Sequence, residues 1–224
     1  MRVLKTARLF TALLALGLTA GCGTVTAVRA LRKGESAVAL SAGGPVARLS
    51  GMDIPFPYAV ARYRYGLNDR TGLYVGSHLS FAGLAVIAID GGFSHQFLTQ
   101  KRGVPAVSAS AGLLAGVKPG DGQVLFPEVD LVASYLFGDR LLAYFGGQSI
   151  YQLSATPYAV IAPLVGAETR LGRSFSLSLE AEWYAPFEKT KPRNVNYLLP
   201  VGGRGAVGFV LGVNYHFGGW YEQE

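Results

Sequence analysis

Of 224 residues one is a cysteine, Cys22, so no internal disulfide can staple this chain. Histidine is scarce as well. His78, His95 and His216 are scattered over separate candidate strands and offer no metal-ligand spacing. Charged residues make up 15% of the chain, well below the roughly 25% of soluble domains. Half the chain is hydrophobic, yet past residue 21 no apolar run is long enough to cross a bilayer as a helix. No glycine pair opens a helix, so Gly43-Gly44 and Gly202-Gly203 are expected as turns rather than phosphate cradles. These absences leave no basis for a metal or cofactor, and they point away from a helical membrane protein or a disulfide scaffold. What is abundant is glycine (30), tyrosine (12) and phenylalanine (12), the composition of aromatic-rich β-structure.

The N-terminus has its own logic. A basic lead with Arg2, Lys5 and Arg8 precedes an apolar run from Leu9 to Leu18, followed by small residues. That is the build of a secretory signal peptide over residues 1–21. The stretch Leu18-Thr19-Ala20-Gly21-Cys22 resembles a bacterial lipobox, with Thr19 where the pattern prefers leucine. The resemblance implies lipidation at Cys22, followed by a linker over 22–33. Removing residues 1–21 takes three of the twenty cations, leaving seventeen Lys and Arg against fourteen acids. The remaining charge of +3 is no argument for nucleic acid.

The strongest signal is period 2. In Arg204–Phe217 the residues Val207, Phe209, Leu211, Val213, Tyr215 and Phe217 share one face. Gly208, Val210, Gly212, Asn214 and His216 lie on the other. Phe175, Leu177, Leu179 and Trp183 likewise oppose Ser176, Ser178, Glu180 and Glu182. Candidate strands recur at 35–43, 58–67, 71–81, 84–98, 104–117, 124–137, 140–153, 157–171, 174–187 and 203–217. About ten such strands (eight to twelve) predict a closed, antiparallel up-and-down transmembrane β-barrel over 34–217, because an open sheet edge cannot be satisfied in lipid. Connections near residues 68–70, 99–103, 138–139 and 172–173 are tight turns. Those at 44–57, 118–123 and 189–202 are longer, while two near 81–83 and 154–156 are short. This alternation predicts both termini on the periplasmic side, with 218–224 as a periplasmic tail. Pro163 fits a closed barrel poorly, and implies either a bulge or a lipid-spanning part that begins later, near Leu164.

Gly212-Val213-Asn214-Tyr215-His216-Phe217 resembles the insertion signal of outer-membrane barrels. It departs in carrying Val210 at a usually polar place and in running on for seven residues. The resemblance implies that barrel-insertion machinery is a partner.

Alternation turns Arg62, Arg64, Asp90, Glu128, Asp130, Glu168, Arg170, Glu180 and Glu182 inward. Charges of both signs in a narrow lumen are expected to pair and plug it; a narrow polar pore for small solutes is the alternative. His78-Leu79-Ser80 resembles the His-x-Ser pair of the outer-membrane lipid A deacylases, with Phe81 in place of that family's asparagine. It implies a lipid A-modifying enzyme using His78 and Ser80 as a second alternative, with Asp90 expected too far along the next strand to orient the imidazole. His95 is expected at an interface beside Phe93 and Phe97, and His216 in the lumen beside Asn214.

Trp183, Tyr184, Phe187, Tyr158, Phe56 and Tyr58 are expected as one aromatic girdle. Tyr63, Tyr65, Tyr135, Phe137 and Phe217 are expected as the other. The expectation is a monomeric outer-membrane lipoprotein barrel of a Gram-negative envelope, porin-like in architecture, structural or surface-interacting in role. Its loops 44–57 and 188–202 are exposed, and Lys189, Lys191 and Arg193 meet lipopolysaccharide headgroups.

Overall fold

The computed structural model describes residues 27–49, 52–55, 58–80, 87–118, 122–153, 158–189, 196–197 and 199–217. Its strands in chain order are β1 (Ser36–Leu49), β2 (Met52–Pro55), β3 (Tyr58–Asn68), β4 (Thr71–His78), β5 (Ile87–Leu98) and β6 (Ala106–Lys118). There follow β7 (Gly122–Phe137), β8 (Leu141–Gln152), β9 (Tyr158–Arg170), β10 (Phe175–Lys189), β11 (Asn196–Tyr197) and β12 (Arg204–His216).

Ten of these close a barrel. Neighbours pair antiparallel from β3 through β10, β10 pairs β12, and β1 joins both β3 and β12. The seam runs from Ala37↔His216 to Pro45↔Gly208. The expected all-β closed barrel of about ten strands is the fold observed. No backbone edge is left along the ring, which is the condition for a sheet to sit in lipid.

Alternation sets the two faces, and the barrel is inside out. Leu131 is 57% exposed and Leu179 55%, whereas Glu180 and Glu182 are each 1% exposed. A soluble barrel would have to reverse this, since it gains stability by hiding apolar area from water. Inside, apolar side chains cluster at two levels. Tyr58, Val60, Ala88, Leu114 and Phe126 meet near the long-loop end. Val28, Val132, Leu136, Leu142, Tyr144 and Leu164 meet toward the short-turn end.

Three local expectations need correction, and one of the two alternatives for Pro163 falls. Gly43 and Gly44 are not a turn; they lie within β1 with φ of 152° and 139°. A Cβ on Gly43 would sit 2.1 Å from the Phe209 carbonyl oxygen, so the close β1–β12 seam requires glycine there. By contrast Gly202 and Gly203, with φ of 59° and 74°, do form the turn bridging Val201 and Arg204.

The segment 44–57 is not simply a loop. β1 runs on to Leu49, pairs with β2, and also pairs with β11, so the first and last long connections share one small sheet.

Pro163 causes no bulge. It stands opposite Gly147 in an unbroken β8–β9 register, while the β9–β10 ladder begins at Leu164↔Glu182. The proline therefore sits just beyond one ladder, where a missing N–H costs least.

Residues 27–33 are not a free linker. Ala27, Val28 and Leu31 are buried, and the segment lies as a strap at the short-turn mouth. Arg29 Nε donates to Ser134 Oγ at 3.2 Å, and the same guanidinium bonds Gln100. Gln100 in turn binds the Leu136 backbone at both N (2.7 Å) and O (3.1 Å). The Ala30 N–H donates to Gln96 at 3.2 Å, and the Gly34 N–H to the Gly66 carbonyl at 2.8 Å. The strap is thus tied to β3, β5 and β7 before it feeds β1.

Candidate functional site

The lumen holds the chemistry. Bare glycines on the inward face let tyrosine rings lie flat across the interior. A Cβ on Gly112 would be 2.1 Å from the Tyr74 hydroxyl, and one on Gly166 would be 2.5 Å from the Tyr144 ring. Tyr184 lies equally close over Gly208. Two of these rings reach a carboxylate on a strand beyond. Tyr74 donates to Glu128 Oε1 at 2.8 Å, and Tyr144 to Glu180 Oε1 at 3.0 Å.

Other inward acids find partners in the same way. Ser110 donates to Asp130 at 2.7 Å, and Gln148 to Glu182 Oε2 at 2.9 Å. Glu168 receives the Ser176 hydroxyl and the Asn214 amide (3.3 Å), with His216 Nε2 at 3.5 Å. Buried carboxylates held by donors in this way avoid the cost of burying an unpaired charge.

Arg62 supplies the main cation. Its Nε donates to Asp90 Oδ2 at 3.0 Å, a second guanidinium nitrogen binds the same oxygen, and its Cζ stands 5.4 Å over the Tyr74 ring. Asp90 is 2% exposed. Arg64 is also buried, and its Nε has no hydrogen-bond partner among the described residues. Arg170 has inward parity but stands at the short-turn mouth. It lies 3.9 Å from Asp139 and donates to the Gly172 carbonyl at 2.7 Å, away from the interior carboxylates it was expected to join.

The His78 and Ser80 pair has a different setting from the one expected. His78 Nδ1 hydrogen-bonds the Tyr58 hydroxyl, and Nε2 lies 3.4 Å from Asp90 Oδ1. That second contact is close but not aligned as a hydrogen bond. Asp90 is therefore within reach of the ring after all, because the diagonal between neighbouring strands brings it under His78. Ser80 Oγ accepts from the Ala59 N–H at 2.6 Å. The imidazole is thus set between a phenol and a carboxylate in the lumen.

Two expected girdle residues point inward instead. Tyr58 is 3% and Tyr184 7% exposed; Tyr58 shares strand parity with Arg62 and Arg64, and Tyr184 with Glu180 and Glu182. Phe187, Tyr63, Tyr65, Phe137 and Phe217 are exposed, Tyr135 is half-buried, and the Trp183 indole donates to the Arg204 carbonyl at 3.1 Å. Phe56 and the side chain of Tyr158 lie outside the described residues, as do Cys22, Lys191 and Arg193. His95 meets Phe97 edge-on at 4.8 Å and Thr71 at 2.9 Å, on the outward face as expected. Alternation alone could locate the inward set. The tyrosine struts and the strap residues Arg29 and Gln100 carry no local pattern that would have identified them.

Among the described residues no group of His, Cys, Asp and Glu could hold a metal ion, and no helix is long and apolar enough to cross a membrane.

A closed antiparallel barrel with an apolar outside and a hydrogen-bonded polar inside is the architecture of outer-membrane barrels. No family model matches the chain, and no curated protein matches it. Among solved structures it is similar to the translocator domain of the autotransporter NalP from Neisseria meningitidis, at 10% identity and a TM-score of 0.46, covering 96% of each chain. It is also similar to the outer membrane protease OmpT from Escherichia coli, at 9% identity and 0.43, covering 82% of this chain and 97% of that one. The outer membrane protein OprG from Pseudomonas aeruginosa aligns at 10% identity and 0.34, covering 85% and 99%.

Proposed function

We propose that this chain is an outer-membrane barrel whose lumen is sealed by its own side chains and whose role is structural or surface-interacting. One observation carries the reading: donors and carboxylates from different strands meet across the interior, as Tyr74 does with Glu128 and Tyr144 with Glu180. The strap adds apolar cover at one mouth. A bilayer-spanning barrel closed in this way is a platform, and its exposed parts are the long connections 44–57 and 188–202. Their joining through β1, β2 and β11 supports a single recognition surface rather than two independent loops.

The remaining proposals extend that reading. Both termini are periplasmic, Cys22 carries lipid, barrel-insertion machinery places the protein, and the monomer contacts lipopolysaccharide through Lys189, Lys191 and Arg193. Purified protein in a planar bilayer is expected to show no steady unitary conductance. A stable single-channel level would overturn the sealed lumen in favour of a narrow pore. Mass spectrometry of the mature N-terminus decides lipidation, since an unmodified Cys22 refutes it. Reversing the three loop charges without loss of lipopolysaccharide binding would remove that contact.

A further inference from the structure

Charge is segregated on the folded chain in a way its modest net value hides. Among the described residues, six buried carboxylates line the lumen against two buried arginines, Arg62 and Arg64. The opposite sign collects at the short-turn end. The turn after β3 carries Asp69 and Arg70, and the turn after β5 carries Lys101 and Arg102. The turn after β7 carries Asp139 and Arg140, and Arg170 and Arg173 flank the next. The strap adds Arg32 and Lys33, with Glu35 just beyond. Among the described residues, these eight cations face three acids at this end, besides Arg29, which is held inside the mouth by Ser134 and Gln100.

Those acids do little to cancel the excess. Glu35 and Asp69 accept strap backbone N–H groups at 3.0 and 3.1 Å. Asp139 lies 4.0 Å from Arg140 and 3.9 Å from Arg170. Arg70, Lys101, Arg102 and Arg173 form no ion pair among the described residues.

Where these cations sit identifies their partner. Each cationic turn is bounded by exposed apolar side chains of the outer face. Leu98 and Val104 flank Lys101 and Arg102, while Leu171 and Phe175 flank Arg173. Tyr135, at the end of β7, donates to the Gly103 carbonyl at 3.0 Å and ties the aromatic belt to the cationic turn. The charges thus begin where the apolar band stops, around the rim, at the level of lipid headgroups. A soluble acidic partner would need one continuous patch and would gain nothing from this adjacency.

We propose that the short-turn rim binds the phosphate groups of anionic phospholipids and holds a shell of them around the barrel. The inference rests on the membrane-spanning reading above. The test reconstitutes the full chain in nanodiscs of phosphatidylcholine and phosphatidylglycerol and reads retained lipid by native mass spectrometry. Heat-shifted mobility on detergent gels checks folding, so failure to insert counts against the barrel reading and is distinct from loss of lipid preference.

Wild-type protein is expected to retain phosphatidylglycerol over phosphatidylcholine by roughly fivefold or more, about one cation's attraction to an anionic surface. The preference should fall in high salt. It should approach parity in a folded variant combining Lys101→Glu, Arg102→Glu and Arg173→Glu, and persist in Arg204→Glu at the other end. Equal retention of the two lipids by wild type, or an undiminished preference in the triple variant, would overturn the proposal. So would binding of soluble polyglutamate with no lipid preference, which would assign the rim to an acidic protein.

Discussion

The Tyr74 hydroxyl sits 2.8 Å from Glu128 Oε1, and it gets there by crossing two strands over the bare backbone of Gly92 and Gly112. Glycine on the inward face is therefore a steric requirement of the strut. Gly112→Val is expected to lower unfolding stability in detergent by about 1–3 kcal/mol, the usual cost of overpacking. Gly172→Ala is the control: nothing lies within 4 Å of the added Cβ, so its effect should stay within about 0.5 kcal/mol. Adding Tyr74→Ala to Gly112→Val should recover part of the loss. A Gly112→Val protein as stable as wild type would mean that Tyr74 has another resting place.

Arg62 grips one carboxylate oxygen of Asp90 through two guanidinium nitrogens. Removing the arginine alone strands a carboxylate that is 2% exposed. Arg62→Ala should therefore cost about 3–5 kcal/mol, whereas Arg62→Ala with Asp90→Ala should cost clearly less than the sum of the single changes. Urea unfolding of the four proteins measures the coupling. Strict additivity would show that the pair contributes nothing beyond its separate side chains.

How much of this could be read from the sequence depends on the range of the signal. Strand number and the inward or outward side of Arg62, Glu128 or Leu179 follow from alternation, which is local and strict in period. Alternation also carried Tyr58 and Tyr184 inward, although their aromatic character argued for a membrane girdle. The partners of the tyrosines were not legible, because Tyr74 and Glu128 are brought together by register across intervening strands. Gly43 and Gly44 have the composition of a turn, but within the strand glycine is required at Gly43 by the closeness of the Phe209 backbone, which no local pattern reveals. Val28 and Leu31 stand in the short run Ala27-Val28-Arg29-Ala30-Leu31, too brief and without the period-2 alternation of the strands to show which wall it packs against.

The strap depends on that Val28 contact. It packs with Val132, Leu136, Leu142, Tyr144 and Leu164. Val28→Asp places a carboxylate among them, so the strap should detach while the closed ring keeps its heat-shifted mobility. Arg29, held in the native protein by Ser134 and Gln100, would then become a trypsin site. Mass spectrometry after brief digestion reads the new cleavage. If Arg29 is cut equally in wild type, the strap is not held at the mouth in solution.

His78 and Ser80 are expected to separate in their effects. His78 bonds Tyr58 and approaches Asp90, so His78→Ala breaks the buried hydrogen bond to the Tyr58 hydroxyl and removes the ring beside Asp90. A loss of about 1–3 kcal/mol in unfolding stability follows. Ser80 accepts one backbone N–H, from Ala59, and its replacement by alanine should cost about 1 kcal/mol. Neither change should alter lipid A acylation in cells, because the imidazole is occupied by a phenol and a carboxylate. Analysis of lipid A from cells expressing wild type and Ser80→Ala decides the matter. An acylation pattern that depends on Ser80 would make this barrel an enzyme.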